Sequence, residues 1–566
     1  MERGQALMKP RISIGTQDFE KIRVNKSFYI DKTMLIREWW ECRDDVTLIT
    51  RPRRFGKTLN LSMLNCFFSM AYENRDDLFE GLQIWELESY RHLQGSFPVI
   101  FLSFADVKGQ DYETARAGII RKLVKLYSNH VYVRERLNAI DCASFDLVRT
   151  DMDDAAATAS IQNLTDYLYQ YYGKRTLILL DEYDTPLQEA YANGYWEKLT
   201  QFIRCLFNST FKTNPYMERG LLTGITRISK ESIFSDLNNL EVITTTSRKY
   251  CGQFGFTEEE VFHTLDFYDM AGEKENVKEW YDGFTFGPLT DIYNPWSITC
   301  FLESRLYKPY WANSSSNRLV SRLIQQGNPQ TKIFMEDLLQ GSSLSMELDE
   351  EIIFDQLQKK RSAVWSLLLA SGYLRVVSRQ FDTSSGRFMY CLQLTNREVH
   401  MMFEDMVKDW FSNENIPYNS FLQAFLQGDT DYMNEYMNLV AGQTFRSFDT
   451  GNKPSENTNP ERFYHGFVLG LIVELAGQYR ITSNRESGFG RYDVMLEPED
   501  KGRTAYVLEF KVRNPRREKA LEDSLQAAHE QILAKNYDAE LIARGIPQAN
   551  IRHYGFAFEG KRVLIG

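Results

Sequence analysis

One local pattern constrains this chain more than any other. An apolar β-type run, VTLIT at 46–50, leads into RPRRFGKT at 51–58, and a helical pattern, TLNLSMLNCFFSMA, follows at 58–71. Strand, turn, Gly-Lys-Thr and helix in that order is the context a phosphate-binding loop requires. Gly56 lets the backbone approach a phosphate closely, and Lys57 brings a point charge to the β- and γ-phosphates. Thr58 offers a hydroxyl to Mg²⁺, and the helix N-terminus adds its unpaired N–H donors. Arg53, Arg54, Phe55, Gly56, Lys57, Thr58 and Leu59 form the expected phosphate-binding stretch. The full pattern opens on glycine, where this chain has Arg51. Arg51, Arg53 and Arg54 are expected to make the loop strongly basic, suited to polyphosphate or an acidic partner surface. The plainer alternative is a helix start that merely contains Lys-Thr.

A second segment bears on that choice. RTLILLDEYD at 175–184 is an apolar strand pattern ending in paired acids. Asp181 at its carboxyl end is placed to hold Mg²⁺, and Glu182 to orient or activate an attacking water. Together the segments predict ATP binding and hydrolysis. Thr223 and Thr226, on the run LLTGIT, are candidates to set a hydroxyl between the acids and the γ-phosphate. Arg227 is a candidate phosphate contact, in cis or across a subunit interface, or else an ordinary salt-bridge residue. Asp31 and Lys32 are auxiliary candidates for closing over the nucleotide, against a helix cap with a solvated lysine. Asp184 is expected to cap the following helix.

The surrounding pattern sets the fold. VTLIT, FPVIFLSF at 97–104, RTLILLD and LLTGIT alternate with helical stretches. That alternation predicts an α/β domain over 1–255 with a mostly parallel sheet covered on both faces. Residues 256–380 read as a largely helical lid or transmission region, beginning at a Thr257–Glu260 capping box. Residues 381–460 read as a connecting region, with PSENTNPE at 454–461 an exposed loop. Strand and helix patterns return over 461–566. With 566 residues, several domains are expected rather than one core. No apolar stretch is long enough to span a bilayer. The seven cysteines form no CxxC pair, so a reducing cytoplasm is the expected location and a zinc or iron–sulfur centre is not expected.

The last hundred residues hold a second constellation, GRYDVMLEPEDKGRTAYVLEFKV at 490–512. Glu509 and Lys511 alternate on one strand and so share a face. A hairpin would bring Asp493 beside them. Two carboxylates could then share a Mg²⁺, with Mn²⁺ as an alternative, against a scissile phosphate, and Lys511 could position water or stabilise charge. An exposed strand with a cross-strand Glu–Lys pair is the competing explanation. Glu474, Gln531 and Tyr537 are auxiliary candidates.

These segments, with FYIDKT at 28–33, TGITRISKESIF at 223–234, WYDGFTF at 280–286 and YNPWSI at 293–298, resemble bacterial AAA-like ATPases fused to a PD-(D/E)XK-type nuclease domain. The resemblance spans nearly the whole chain. It implies a P-loop parallel sheet with a helical lid, then a restriction-endonuclease-like α/β domain. It also implies Gly56, Lys57, Thr58, Asp181 and Glu182 at nucleotide and Mg²⁺, and Asp493, Glu509 and Lys511 as a nuclease core. Tyr492-Asp493 replaces the literal Pro-Asp. The expected activity is ATP hydrolysis joined to Mg²⁺-dependent cleavage of DNA. The alternative is an ATP-dependent signalling or interaction switch whose C-terminal domain binds nucleic acid or protein without cutting. A homo-oligomer or protein partner fits either, and a membrane fits neither. The net charge of −11 speaks against nucleic acid, but residues 501–566 hold 12 Lys+Arg and 8 Asp+Glu, a local excess of +4. KVRNPRREK at 511–519 concentrates that excess beside the acids.

Overall fold

The computed structural model describes residues 9–566 except 227–232, 235–236, 313–317, 326–328, 340, 349–360, 384–385, 412–417, 445–467, 469–471, 473–474, 476–477, 484–485, 488–489, 492, 516 and 561. The chain divides into two compact units, Met1–Leu319 with Ser345–Val399, and Val320–Leu344 with His400–Gly566.

The first unit is built on five parallel strands, β1 (Val46–Thr50), β2 (Val99–Ser103), β3 (Thr176–Asp181), β4 (Met217–Gly224) and β5 (Leu240–Ile243). Their order is β2-β3-β4-β1-β5, and every neighbouring pair is parallel. All residues of β1 and β3 are buried. Consecutive rather than alternate burial means both faces are covered, which parallel crossovers impose. The helix Lys57–Phe68 follows β1, and Tyr112–Asn129, Asp154–Tyr172 and Trp196–Phe211 supply further cover. Local chemistry marks their ends: Asp111 and Asp153 accept N-cap bonds from Thr114 and Ala156, and Gly173 ends its helix in the left-handed region.

The stretch expected to be helical is mixed. The capping box forms as read, with Thr257 and Glu260 bonding each other's backbone at the start of Glu258–Phe267. Asn294 caps Pro295–Ser304. β6 (Phe256–Thr257), just before the first of these helices, and β7 (Phe284–Phe286) and β8 (Leu289–Tyr293), between the two, form an antiparallel sheet in the order β6-β8-β7. A further sheet, β10-β11-β9, comprises β9 (Leu344–Glu347), β10 (Leu374–Asp382) and β11 (Arg387–Leu394). Later in this stretch stands the helix Arg361–Ala370.

In the second unit a mixed sheet runs β12-β15-β16-β17-β18. Its strands are β12 (Tyr479–Ser483), β15 (Val494–Pro498), β16 (Ala505–Val512), β17 (Ile551–Glu559) and β18 (Arg562–Ile565). A two-stranded ribbon, β13 (Glu486–Ser487) and β14 (Gly490–Arg491), precedes β15. Only β16 and β17 pair in parallel, across the helix Leu521–Lys535. One face, carrying Val494, Leu496, Tyr506, Leu508 and Phe510, packs on Phe421, Phe425, Met433, Tyr436 and Met437. The opposite face, with Met495, Ala505 and Val507, packs on Ile532, Tyr537, Leu541 and Ile546. The core of this unit therefore draws on residues 421–441, which the sequence pattern presented as connection.

Candidate functional sites

Parallel strands deliver their carboxyl ends to one edge of the sheet, where β4 lies between β1 and β3. Leu180 sits opposite Leu222 and Thr50 opposite Gly224, which sets Thr223 between the β1 loop and Asp181. The Thr223 hydroxyl donates to Asp181 Oδ1 at 2.6 Å, and Thr58 donates to Asp181 Oδ2 at 2.8 Å. Both carboxylate oxygens of a fully buried acid are thus tied to hydroxyls from the two neighbouring segments. Burial raises the Asp181 pKa, opposed by these two hydrogen bonds. Thr223, expected between the acids and the γ-phosphate, has its hydroxyl on the acid side, bonded to Asp181. Such an arrangement holds a carboxylate and a hydroxyl where Mg²⁺ would take both.

The loop itself is shaped by two left-handed residues. Gly56 has φ 77° and heads the helix, with open space where a Cβ would project. Arg54 has φ 65°, a conformation that costs an arginine energy. Its guanidinium lies 4.3 Å from the Trp296 ring centroid. Lys57 is buried and donates to the Arg51 and Pro52 carbonyls at 2.9 and 2.8 Å. Burial lowers its pKa, and Glu182 and Asp181 oppose that. Phe55 is fully buried between Phe284 and Phe286, so its backbone rather than its ring shapes the loop.

Arg51 departs from the basic-loop expectation. It is fully buried, donates to the Thr50 and Thr244 carbonyls, and stacks 4.7 Å from the Phe286 centroid. Burial pulls its pKa down to about 10. Its charge ties the ends of β1 and β5 together behind the loop, leaving Arg53 and Arg54 as the loop's exposed bases.

Glu182 has φ 49° and a carboxylate that accepts from the Thr185 hydroxyl at 3.0 Å. Asp184 stands at the N-cap position but does not cap. Its Oδ2 accepts from the Ile225 and Thr226 amides and from the Thr226 hydroxyl, at 2.9–3.0 Å. This acid fixes the turn leaving β4, a role the sequence did not signal. Gly224 permits it, since a Cβ there would lie 2.6 Å from the Tyr183 ring. Asp31 accepts from Thr33 and from the Gln83 amide. Lys32 is not solvated: it is buried, bonded to the Gly252 carbonyl and paired with Glu260 at 2.6 Å. Arg227 lies outside the described residues.

These groups line a cavity of about 770 Å³. Arg53, Lys57, Thr58, Leu59, Asp181 and Glu182 form one part of its wall. Phe28, Ile30, Phe256, Pro295 and Trp296 form an apolar part, and Ser103, Lys108 and Asn193 extend it past β3 toward β2. A cleft lined by both charged and aromatic groups suits a nucleotide.

In the second unit the hairpin forms. Val494 opposes Leu508 in antiparallel register, so Asp493 falls opposite Glu509. Asp493 accepts from the Phe510 amide at 2.8 Å. Lys511 donates to Glu509 at 2.8 Å, and Gln531 donates to the same oxygen and reaches the Tyr537 hydroxyl at 3.3 Å. Glu509 is 1% exposed. The Tyr537 phenol is pushed up by burial, Gln531 opposes, and Glu509 and Asp493 add to the rise. The strand thus turns Leu508 and Phe510 to one core and Glu509 to the helix side, in keeping with the alternation. Glu474 lies outside the described residues.

Elsewhere Glu258, Asp282 and Asp291 bring carboxylate oxygens within 4.8 Å of one another. Lys278 pairs with Glu258 and lies 3.5 Å from Asp291, so the protein supplies a countercharge. Among the described residues no helix is long and apolar enough to cross a membrane.

Comparison with known proteins assigns both ends of the chain. Residues 13–234 match a family described as predicted AAA-ATPase, and residues 459–566 match the PD-(D/E)XK nuclease superfamily. An uncharacterized protein in the vnfD 5′ region of Azotobacter chroococcum mcd 1 is 25% identical over 399 residues, 69% of each chain. The ORC2 protein of Aeropyrum pernix, solved in ADPNP–ADP complexes, aligns over 71% of this chain and 97% of its own at 11% identity and TM-score 0.23.

Proposed function

We propose that this chain, which joins a predicted AAA-ATPase domain to a PD-(D/E)XK nuclease superfamily domain, hydrolyses ATP and cleaves nucleic acid, DNA in preference to RNA. The observation that carries the ATPase reading is Asp181, bonded through its two oxygens to Thr58 and Thr223 beside Lys57. Thr58 and Asp181 would hold Mg²⁺, which supplies charge neutralisation for the phosphates when bound. Lys57 exchanges its loop carbonyls for phosphate oxygens, and Gly56 admits the phosphate to the helix N-terminus. Glu182 accepts a proton from water as the water oxygen bonds the γ-phosphorus. The bond to the β–γ bridging oxygen breaks, releasing ADP and phosphate.

In the second unit Asp493 and Glu509 would hold a divalent ion, Mg²⁺ or Mn²⁺, that supplies Lewis acidity when bound. Lys511 stabilises negative charge gathering on the phosphate as water displaces a bridging oxygen. Gln531 and Tyr537 hold Glu509 in orientation. The nucleotide-binding role of 1–255, the lid role of 256–380 and the nuclease role of 461–566 belong to this proposal, as does gating of cleavage by nucleotide; residues 421–441 pack in the second core rather than serving as connection.

The full-length protein tests all of this in one series. Plasmid, linear duplex, single strand and RNA are incubated with Mg²⁺ or Mn²⁺, with and without ATP. Lys57→Ala should abolish nucleotide binding and remove the ATP effect on cleavage. Glu182→Gln should bind ATP but hydrolyse it about 100-fold more slowly. Glu509→Ala should abolish cleavage and spare ATP hydrolysis. A folded Lys57→Ala protein that cuts with unchanged rate and specificity sinks the gating. Absence of cleavage on every substrate leaves the C-terminal fold as a binding module in an ATP-driven switch.

A further inference from the structure

Five cationic side chains line the cavity of the first unit: Lys32, Arg53, Arg54, Lys57 and Lys108. Four are engaged. Lys32 is paired with Glu260, Arg53 reaches Gln188 at 3.4 Å, Arg54 is stacked on Trp296, and Lys57 is bonded to two loop carbonyls. Lys108 makes no side-chain hydrogen bond or ion pair among the described residues, and it is exposed to the cavity.

Its backbone, by contrast, is firmly placed. Val107 on one side is 2% exposed and packs where a Cβ on Gly118 would lie 3.1 Å from it. Gly109 on the other side accepts from the Tyr195 hydroxyl at 2.6 Å and from Asn193 at 3.4 Å. A Cβ on Gly109 would meet the Ala115 backbone at 2.7 Å, so the turn is closed against the next helix. A flexible ammonium on a fixed base is an arrangement that can meet developing charge with little backbone reorganisation.

The sheet order fixes where the loop carrying that ammonium stands. Ser103 at the end of β2 is in register with Asp181 at the end of β3. The loop carrying Lys108 therefore lies beyond the acids, on the side of Asp181 and Glu182 away from the β1 loop. A polyphosphate seated on Gly56 and Lys57 presents its terminal group toward those acids.

We propose that Lys108 is a further catalytic residue that contacts the terminal phosphoryl group of the bound nucleoside triphosphate. It would supply from within one chain the positive charge that many such sites take from a neighbouring subunit. This rests on the ATPase reading above and adds to it a residue and a consequence: hydrolysis does not require self-association.

The test uses the full-length chain, Lys108→Ala, Lys108→Arg, and Lys125→Ala as an exposed control on a neighbouring helix. Affinities for Mg²⁺–ADP and for Mg²⁺–ADP with beryllium fluoride are measured beside steady-state ATP hydrolysis at several protein concentrations. Lys108→Ala should lower kcat about 10- to 100-fold and weaken the beryllium fluoride complex by a similar factor. ADP affinity should stay within about 2-fold, and Lys108→Arg should recover part of the loss. Wild-type rate per molecule should not depend on concentration. Equal loss of ADP and beryllium fluoride binding, or wild-type behaviour of Lys108→Ala, overturns the proposal and leaves the ATPase reading standing. Wild-type protein that binds neither nucleotide overturns both. If the wild type binds but does not hydrolyse, the ADP-to-beryllium-fluoride ratio still decides the contact.

Discussion

Arg51 stands where the phosphate-loop pattern has glycine, and its environment is a protein interior rather than a ligand surface. Side-chain type alone favoured an exposed base, but the aromatic faces of Phe254 and Phe286 and the Thr244 carbonyl give the guanidinium an internal place. Glu398 is a second ionisable group held inside. It is fully buried, accepts from the Ser297 hydroxyl at 2.9 Å and from the Trp311 amide at 2.9 Å, and burial raises its pKa to about 7. A carboxyl whose folded pKa is raised binds its proton more tightly when folded. Its stabilising share is therefore complete below the unfolded value of 4.5 and is lost as pH rises toward about 7. The rise amounts to about 3 kcal/mol. Glu398→Gln keeps the acceptor and removes the titration, so its stability relative to wild type should climb by roughly that amount between about pH 5 and pH 8. Denaturant unfolding at those pH values, followed by Trp fluorescence, checks it; a pH-independent difference refutes it.

Elements that carry local signals were readable, and those defined by long-range partners were not. The helix Asp154–Tyr172 carries its own punctuation, Asp153 capping its start and Gly173 ending it. The alternation around Glu509 gave the facing of β16 correctly. Nothing local, however, announces that the helix Thr430–Thr444 completes a sheet edge. Asn434 bonds both the amide and the carbonyl of Ile565, and Asn438 does the same for Val563, at 2.7–2.9 Å. Two asparagines one helical turn apart thereby act as a substitute neighbouring strand for β18. Asn438→Ala should leave the Val563 amide and carbonyl without these partners and cost about 2 kcal/mol. Hydrogen exchange at the Val563 amide should accelerate accordingly, and unchanged protection would show that the bond contributes nothing.

At the scale of the whole molecule, the acidic total and the basic tail need weighing together. Of the bases in 511–519, Arg513 is spent on Glu559 and on the Glu518 and Lys519 carbonyls. Arg516 lies outside the described residues. Arg517 and Lys519 are exposed, and Lys511 is bonded to Glu509 beside them. Roughly three phosphate contacts imply a slope of about −3 for log affinity against log salt. Filter binding of a Glu509→Ala protein to duplex DNA across a salt series measures it, and a slope near −8 would require a much larger basic surface. By itself the sequence determined the chemistry at the ends of particular strands, because a loop entering a helix and two residues alternating on a strand are local geometries. Only the tertiary structure decided that β4 enters between β1 and β3, handing Thr223 to Asp181. It also decided that Arg51 turns inward, that Asp184 holds the turn after β4, and that residues 421–441 belong to the second core. Each of those outcomes depends on which distant segment supplies burial and hydrogen-bond partners, and no local pattern encodes that pairing.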